Sequence, residues 1–331
     1  MKLLAYAFFL WLSSSFMLVV AKTSDIEGYL AHPEAQAWRA KMEQEGFSRT
    51  SLDQILSDAR KQTSILRAMD RPAEKRLDWG EYRQRFIQPK LVSQGVAFWS
   101  THEAALSRAE SVYGVPPEMV VAIIGIETRY GSNMGSYRAL DALATLGFDY
   151  PRRAEFFQSQ LKDLLILAET EKRDIRQLKS SYAGAMGYGQ FIPSSFLKYA
   201  VDFDRDGSAD IWDNPVDAIG SVANYFLEHG WQSGEPVASQ IEVTRAPEDG
   251  WVNTGLPPTR SVKEWRELGI SFAGQADETS PAALLRMMAQ DKATYWLGFN
   301  NFYTITRYNR SRLYAMAVYQ LSREIAAAKK L

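Results

Sequence analysis

The chain has 331 residues, 46% hydrophobic and 23% charged, with a formal net charge of −1. That is globular composition with room for more than one core, and it lacks the basic footprint of a nucleic-acid binder. There is no cysteine, which excludes disulfides and an N-terminal lipid-bearing cysteine.

Residues 1–22, MKLLAYAFFLWLSSSFMLVVAK, begin with Met1-Lys2, run apolar and reach a small residue at Ala21. This is the pattern of an export signal over residues 1–21, cleaved after Ala21. Retained, the same run is long enough to approach a membrane span. In either form the protein is expected outside the cytoplasm, soluble or held by its uncleaved signal, and not as a lipoprotein.

Residues 22–100 read as a helical domain. Ala35, Trp38 and Met42 fall at helical spacing, and LDQILSDARKQTSILRAM continues the pattern. Ser51 and Gln54 are spaced as a capping box that starts a helix.

Residues 101–233 form the densest helical block, a core with a metal-type loop in it. VPPEMVVAIIGIE opens on prolines, which a first helical turn tolerates, and is apolar on nearly all sides. A single carboxylate, Glu127, ends that run. A carboxyl partly withdrawn from water favours its protonated form and suits a general acid. The plainer alternative is a helix-end glutamate paired with Arg129 or Arg138. In DYPRRAEFFQSQLKDLLILAE, Asp149 and Pro151 are start signals, and Phe157, Leu161, Leu164, Leu165 and Ala168 share a face.

SYAGAMGYGQFIPSSF, residues 181–196, mixes glycines with Ser181, Tyr182, Tyr188 and Gln190. Its backbone can approach a ligand closely and its polar groups suit sugar hydroxyls. It can also be a plain turn before a helix capped by Ser194. NPVDAIGSVANYFLEHG carries Ala218, Ile219, Val222, Tyr225 and Phe226 on one stripe, with Gly230 ending the helix.

Between these lies DFDRDGSADIWD, residues 202–213, in twelve-residue EF-hand spacing. Asp202, Asp204 and Asp206 fill positions 1, 3 and 5, with Gly207 at the sharp turn. Ser208 offers its carbonyl at position 7, Asp210 fills position 9 and Asp213 position 12. Five carboxylates so close repel one another unless a hard cation gathers them, and oxygen donors select Ca²⁺ over zinc. A solvated acidic loop is the alternative. Position 12 is Asp rather than Glu, and one loop alone suggests a structural clamp rather than a switch.

Residues 234–297 change character. VASQIEVT alternates, turn residues cluster from Ala246 to Pro258, and a short helix is expected near VKEWREL, giving a small β-rich subdomain. Residues 298–331 return to the helical units. NNFYTITRYNRSRLY is an aromatic and amide cluster, readable as groove or as a strand and helix start. Tyr314, Val318, Leu321 and Ile325 then follow at helical spacing. The nine Trp and sixteen Tyr suit sugar ligands, although most aromatics belong to cores.

Taken in order, IETRYGSNMGSYRALDALATL, FDYPRRAEFF, SSYAGAMGYGQFIPSSF, WDNPVDAIGSVANYF and NFYTITRYN resemble the membrane-bound lytic murein transglycosylase B family over about residues 80–330. The resemblance implies a mainly α (α+β) fold: a lysozyme-like helical core, an additional helical domain, a small β-rich subdomain and one EF-hand-type calcium site. It implies a periplasmic lyase with no organic cofactor. Its partners are peptidoglycan glycan strands, with other cell-wall enzymes as further candidates. Glu127 takes the position of the catalytic acid. Ser181 and Gln190 take positions that contact the sugar near the cleaved bond. Phe191, Tyr225, Tyr308, Asn309 and Tyr314 take groove positions, with Tyr82 at the cleft. Arg152 and Arg153 take the place of a pair beside the groove that meets the acidic stem peptide. The implied chemistry needs one carboxylate, which protonates the bond between N-acetylmuramic acid and N-acetylglucosamine and then deprotonates the muramic O6, closing a 1,6-anhydro ring. A hydrolytic muramidase, a non-catalytic wall-binding protein and a calcium-binding interaction module are the rival readings. The chain departs from the family pattern in lacking the lipid-bearing cysteine and in WDNPVD, which runs one residue longer than the usual spacing.

Overall fold

In a computed structural model that describes residues 28–70, 77–243, 246–270 and 277–331, the apolar run before Glu127 forms α7 (Pro117–Thr128). The export signal expected over residues 1–21 lies outside those residues. Pro117 occupies the first turn, where its missing N–H leaves no bond unmade. From Met119 to Gly125 every residue of α7 is buried. Each large aliphatic side chain so covered contributes about 1.5–3 kcal/mol of transfer free energy.

Three helices cover α7: α5 (Pro89–Thr101), α6 (Glu103–Tyr113) and the long α14 (Arg312–Lys329). Tyr314, Val318, Leu321 and Ile325 do form the inward stripe of α14. Helix α4 (Trp79–Phe86) lies on α14, and α11 (Pro215–Glu228) packs on α6 and α7.

A second core joins α1 (Pro33–Gln44), α2 (Arg49–Asp58) and α3 (Thr63–Asp70) to α8 (Ala139–Asp149), α9 (Ala154–Thr170) and α10 (Pro193–Tyr199). The segment 22–100 is therefore shared between two cores, α1–α3 in one and α4–α5 in the other. The predicted stripes Ala35–Trp38–Met42 and Phe157–Leu161–Leu164–Leu165–Ala168 are buried here.

Antiparallel strands β1 (Tyr137–Arg138) and β2 (Lys179–Ser180) tie the start of α8 to the loop that follows α9. A four-stranded antiparallel sheet, in spatial order β3 (Ala238–Ile241), β6 (Lys292–Gly298), β5 (Pro281–Ala289), β4 (Arg260–Ser261), forms the expected β-rich part. Helix α12 (Val262–Glu267) follows β4, as VKEWREL suggested. Strand β5 is buried on both faces. Ala282 and Leu284 join a small core with Trp265, while Ala283, Leu285 and Met287 reach the α7 core. That is why PAALLRMMA does not alternate in sequence.

Several local expectations shift. The cap of α2 is Ser48, whose hydroxyl accepts from the Ser51 amide, rather than Ser51 itself. Helix α10 starts after Ile192 with no side-chain cap, because Gln160 already accepts from the Ser194 amide. Asp149 closes α8 instead of opening α9, and Pro151–Arg153 makes a 3-10 turn between them. Residues 300–308 are helix, α13 (Asn300–Tyr308), with no strand.

Candidate active site and cation loop

Glu127 stands half-buried in the last turn of α7. Beyond it Arg129, Tyr130 and Gly131 are all left-handed, with φ of 51°, 59° and 85°. Two of the three are not glycine, at about 1 kcal/mol or more of backbone strain each. Thr128 secures the turn: fully buried, it accepts from the Gly131 amide at 3.0 Å and lies 3.0 Å from the Tyr188 carbonyl, an acceptor for its hydroxyl. At Gly131 a Cβ would overlap the Tyr188 ring, so helix end and 181–191 loop fit only with glycine there.

Tyr314, at 2% exposure in the first turn of α14, donates to Glu127 Oε1 at 2.5 Å. Tyr308, at the end of α13, donates to the Gly189 carbonyl at 2.6 Å; a Cβ on Gly189 would sit 2.8 Å from that hydroxyl. Burial first, and the charge of Glu127 second, push both phenols well above the usual tyrosine range. Tyr82, buried in α4, is the least of the neighbours that raise the Tyr314 phenol. Arg138, one of the two arginines weighed as a partner for Glu127, binds the buried Asp141 at 2.5 Å and the Asp58 carbonyl. Asp141 also accepts from the Arg60 amide at 2.8 Å, so it is a structural acid.

The loop expected at the sugar is held by its own polar groups. Ser181 Oγ accepts from the Ala183 and Ala185 amides at 3.3 and 3.2 Å. Gln190, left-handed at φ 51°, donates from Nε2 to Gly187 at 3.0 Å and to Met134 at 3.3 Å. Phe191 and Tyr225 are buried, and with the half-buried Tyr308 they form a ring cluster with centroids 4.7–6.1 Å apart. Both act as backing behind Tyr308, and Tyr225 further donates to the Arg307 carbonyl at 2.7 Å. Asn309 is the half-buried residue that ends α13. Arg152 and Arg153 sit outside this cluster, on the turn between α8 and α9. Arg152 is 79% exposed and 3.9 Å from Asp70, and Arg153 lies over the Phe156 ring at 4.3 Å.

The acidic loop gathers Asp202 and Asp204, and the third carboxylate is Asp217, with candidate oxygens within 4.8 Å of one another. Asp213, expected at position 12, lies outside this cluster: it is 83% exposed and faces Arg173 at 4.0 Å. Asp210 is turned likewise to Arg173 at 2.7 Å and accepts from the Trp212 and Asp213 amides. Asp206 accepts from the Ser208 amide at the loop's exposed tip. Asp217 is fully buried, and its oxygens accept from the amides of Phe203, at 2.7 Å, and Asp210, at 2.8 Å. Burial pushes its carboxyl up, against the pull of those amides. The sequence signal for Asp217 was present in the longer WDNPVD spacing, but the acid reads as an ordinary first-turn residue of α11. A donor set of carboxylate oxygens alone fits a hard cation such as Ca²⁺.

With this geometry the chain can be set beside known proteins. A family profile described as the transglycosylase SLT domain matches residues 31–323. The membrane-bound lytic murein transglycosylase B of Escherichia coli (strain K12) is 48% identical over 308 residues, 90% of this chain and 84% of that protein. The crystal structure of a catenated lytic transglycosylase, SltB1 from Pseudomonas aeruginosa, is 48% identical. It superposes with a TM-score of 0.87 over 91% of this chain and 99% of its own. The E. coli lytic transglycosylase Slt35 in complex with calcium gives 46% identity and a TM-score of 0.83 over 93% of this chain and 97% of its own.

Proposed function

Because the chain belongs to the lytic murein transglycosylases, SLT-domain lyases of lysozyme-like fold that act on peptidoglycan, we propose that Glu127 alone is its acid and base. The observation that carries this reading is the bond from the buried Tyr314 to Glu127 Oε1, with a second phenol, Tyr308, also raised by the charge of Glu127. Asp141, the next acid along the chain, is spent on Arg138. A water-activating second carboxylate, which a hydrolase of the usual two-acid design needs, has no candidate in this cluster among the described residues.

The steps follow from that geometry. With Oε1 engaged by Tyr314, the mobile proton sits on Oε2. Glu127 gives it to the glycosidic oxygen between N-acetylmuramic acid and N-acetylglucosamine, and the bond from muramic C1 to that oxygen breaks. The 2-acetamido oxygen closes on C1 and takes up the positive charge. Glu127, now ionised and still held by Tyr314, removes the O6 hydroxyl proton. O6 attacks C1, the acetamido oxygen leaves, and a 1,6-anhydro end results. No water is consumed. Positioned proton transfer of this kind is worth about 10²–10⁴ in rate.

Ser181 and Gln190 fix the loop beside the end of α7, and Tyr308, bonded to Gly189 of that loop, lines the sugar groove with Asn309. Phe191 and Tyr225 support Tyr308 from behind. The loop 202–217 would hold a structural Ca²⁺ through Asp202, Asp204 and Asp217, with Asp206 and the Ser208 carbonyl as further donors within reach of the loop. The calcium complex of the similar Slt35 supports this. An exported, periplasmic enzyme fits both the substrate and the N-terminal sequence.

Digestion of purified sacculi tests the reading. Ends about 18 mass units lighter than hydrolysed ends, one water short, are expected. Hydrolysed ends, or no cleavage, would overturn it.

A further inference from the structure

A second cavity, of about 490 Å³, lies beside the catalytic cluster, between the start of α4, strand β5 and the start of α14. Its charged lining is three guanidiniums, Arg286, Arg310 and Arg312, against one carboxylate, Asp78. Two of those four charges are already engaged. Asp78 accepts from the amides of Glu81 and Gln290, both at 2.8 Å, and Arg286 is bound to Asp249 at 2.6 Å. Arg310 and Arg312 have no acidic partner among the described residues. The contact of Arg312 is a long one, 3.4 Å from its Nη1 to the Asn253 carbonyl, and burial alone lowers its pKa. A half-buried guanidinium without a counter-ion is costly to hold, and the planar fork of Arg is suited to carboxylates.

The position of the cavity says which carboxylate. Trp79 lines it, and three residues on along the same face of α4 stands Tyr82, which acts on Tyr314. Ser311 lines it too, and caps α14 by accepting from the amide of Tyr314 at 3.3 Å. The cavity thus continues the Glu127 site by about one helical turn, 5.4 Å, on both helices. Each residue of an extended peptide spans about 3.5 Å, so about three residues cover the roughly 10 Å width of a helix.

We propose that this cavity binds a carboxylate of the peptide stem borne by the glycan strand, through Arg310 and Arg312, with Trp79 and Met287 as its apolar wall. The assignment rests on the reading of the chain as a peptidoglycan-cutting enzyme, and it names a second stem contact apart from Arg152 and Arg153.

The test is a titration of the full chain with a muramyl disaccharide peptide in two forms, free acid and carboxyl-amidated. The wild-type chain is expected to bind the free acid about tenfold more tightly. Arg310→Gln with Arg312→Gln should erase that difference and leave affinity for the amidated form unchanged. Arg310→Gln alone, at an exposed residue, should reduce it in a chain with unchanged melting temperature. Arg152→Gln with Arg153→Gln should keep most of it. Equal affinity of the wild type for both forms, a difference that survives in the Arg310/Arg312 variant, or one removed only by the Arg152/Arg153 variant, overturns the proposal. The titration needs no turnover, so its outcome is separate from the product analysis that tests the lyase reading.

Discussion

The phenol of Tyr314 reaches Glu127 Oε1 at 2.5 Å across 187 residues of sequence. The acid comes from the middle of the chain and its orienting donor from the last helix, and the two meet because α14 packs along α7.

Glu127→Gln removes the proton without changing the shape of the site. Turnover of sacculi should fall by at least about 10³, within the range for losing a positioned acid. Sedimentation with insoluble peptidoglycan should show undiminished binding. Residual turnover near wild type would mean the acid lies elsewhere.

Tyr314→Phe should be a graded loss. A hydrogen bond to a charged group is worth about 1.5–3 kcal/mol, so kcat should fall about 10- to 100-fold while KM moves little. The phenol favours the ionised carboxyl, and its loss favours the protonated one. The alkaline limb of the kcat/KM profile, which reports the free acid, should therefore move to higher pH. An unmoved limb with the same drop in rate would reduce Tyr314 to a packing role.

Asp217 and Asp213 separate the two assignments of the last cation ligand. Calcium at about a hundred times its Kd adds about 2.7 kcal/mol, or roughly 4 °C in melting temperature for a chain of this size. Asp217→Asn should abolish that increment. Asp213→Asn, at an exposed residue, should leave it intact. The reverse pattern would restore the twelve-residue loop.

His229 sets a pH dependence of stability. Burial lowers its imidazole below the usual value, against the pull of the Tyr225 carbonyl 2.7 Å from Nδ1. The folded chain then takes up this proton less readily than the unfolded one. Its contribution is complete above the unfolded pKa of about 6.5 and declines as pH falls from there toward the folded value. His229→Gln should flatten the fall in melting temperature between about pH 7 and pH 5. His102, lowered by burial too, leaves a remainder.

Much of this architecture could be read from single residues. Pro117 and the apolar run after it mark α7, Gly230 follows the end of α11, and the stripe of α14 is plain in the sequence. What escaped depends on the third dimension. Asp217 looks like any first-turn acid until Asp202 and Asp204 fold against it. Ser51 and Gln54 have the spacing of a capping box, yet Ser48 reaches the amide first. Phe191 and Tyr225 have the look of groove aromatics, but whether a ring faces ligand or core is decided by neighbours such as Tyr308, far along the chain. The cavity at Arg310 and Arg312 joins elements more than 200 residues apart in sequence, as the span from Asp78 to Gln290 shows, and has no local signature.

The placement of α14 also makes the surroundings of Glu127 depend on the last stretch of the chain. Val318, Leu321 and Ile325 close the apolar flank of α7, and Tyr314 orients its acid, so a nascent or proteolysed fragment ending before Arg312 has neither a sealed interior nor a competent proton donor. Completing the chain through α14 is therefore what closes the interior around α7.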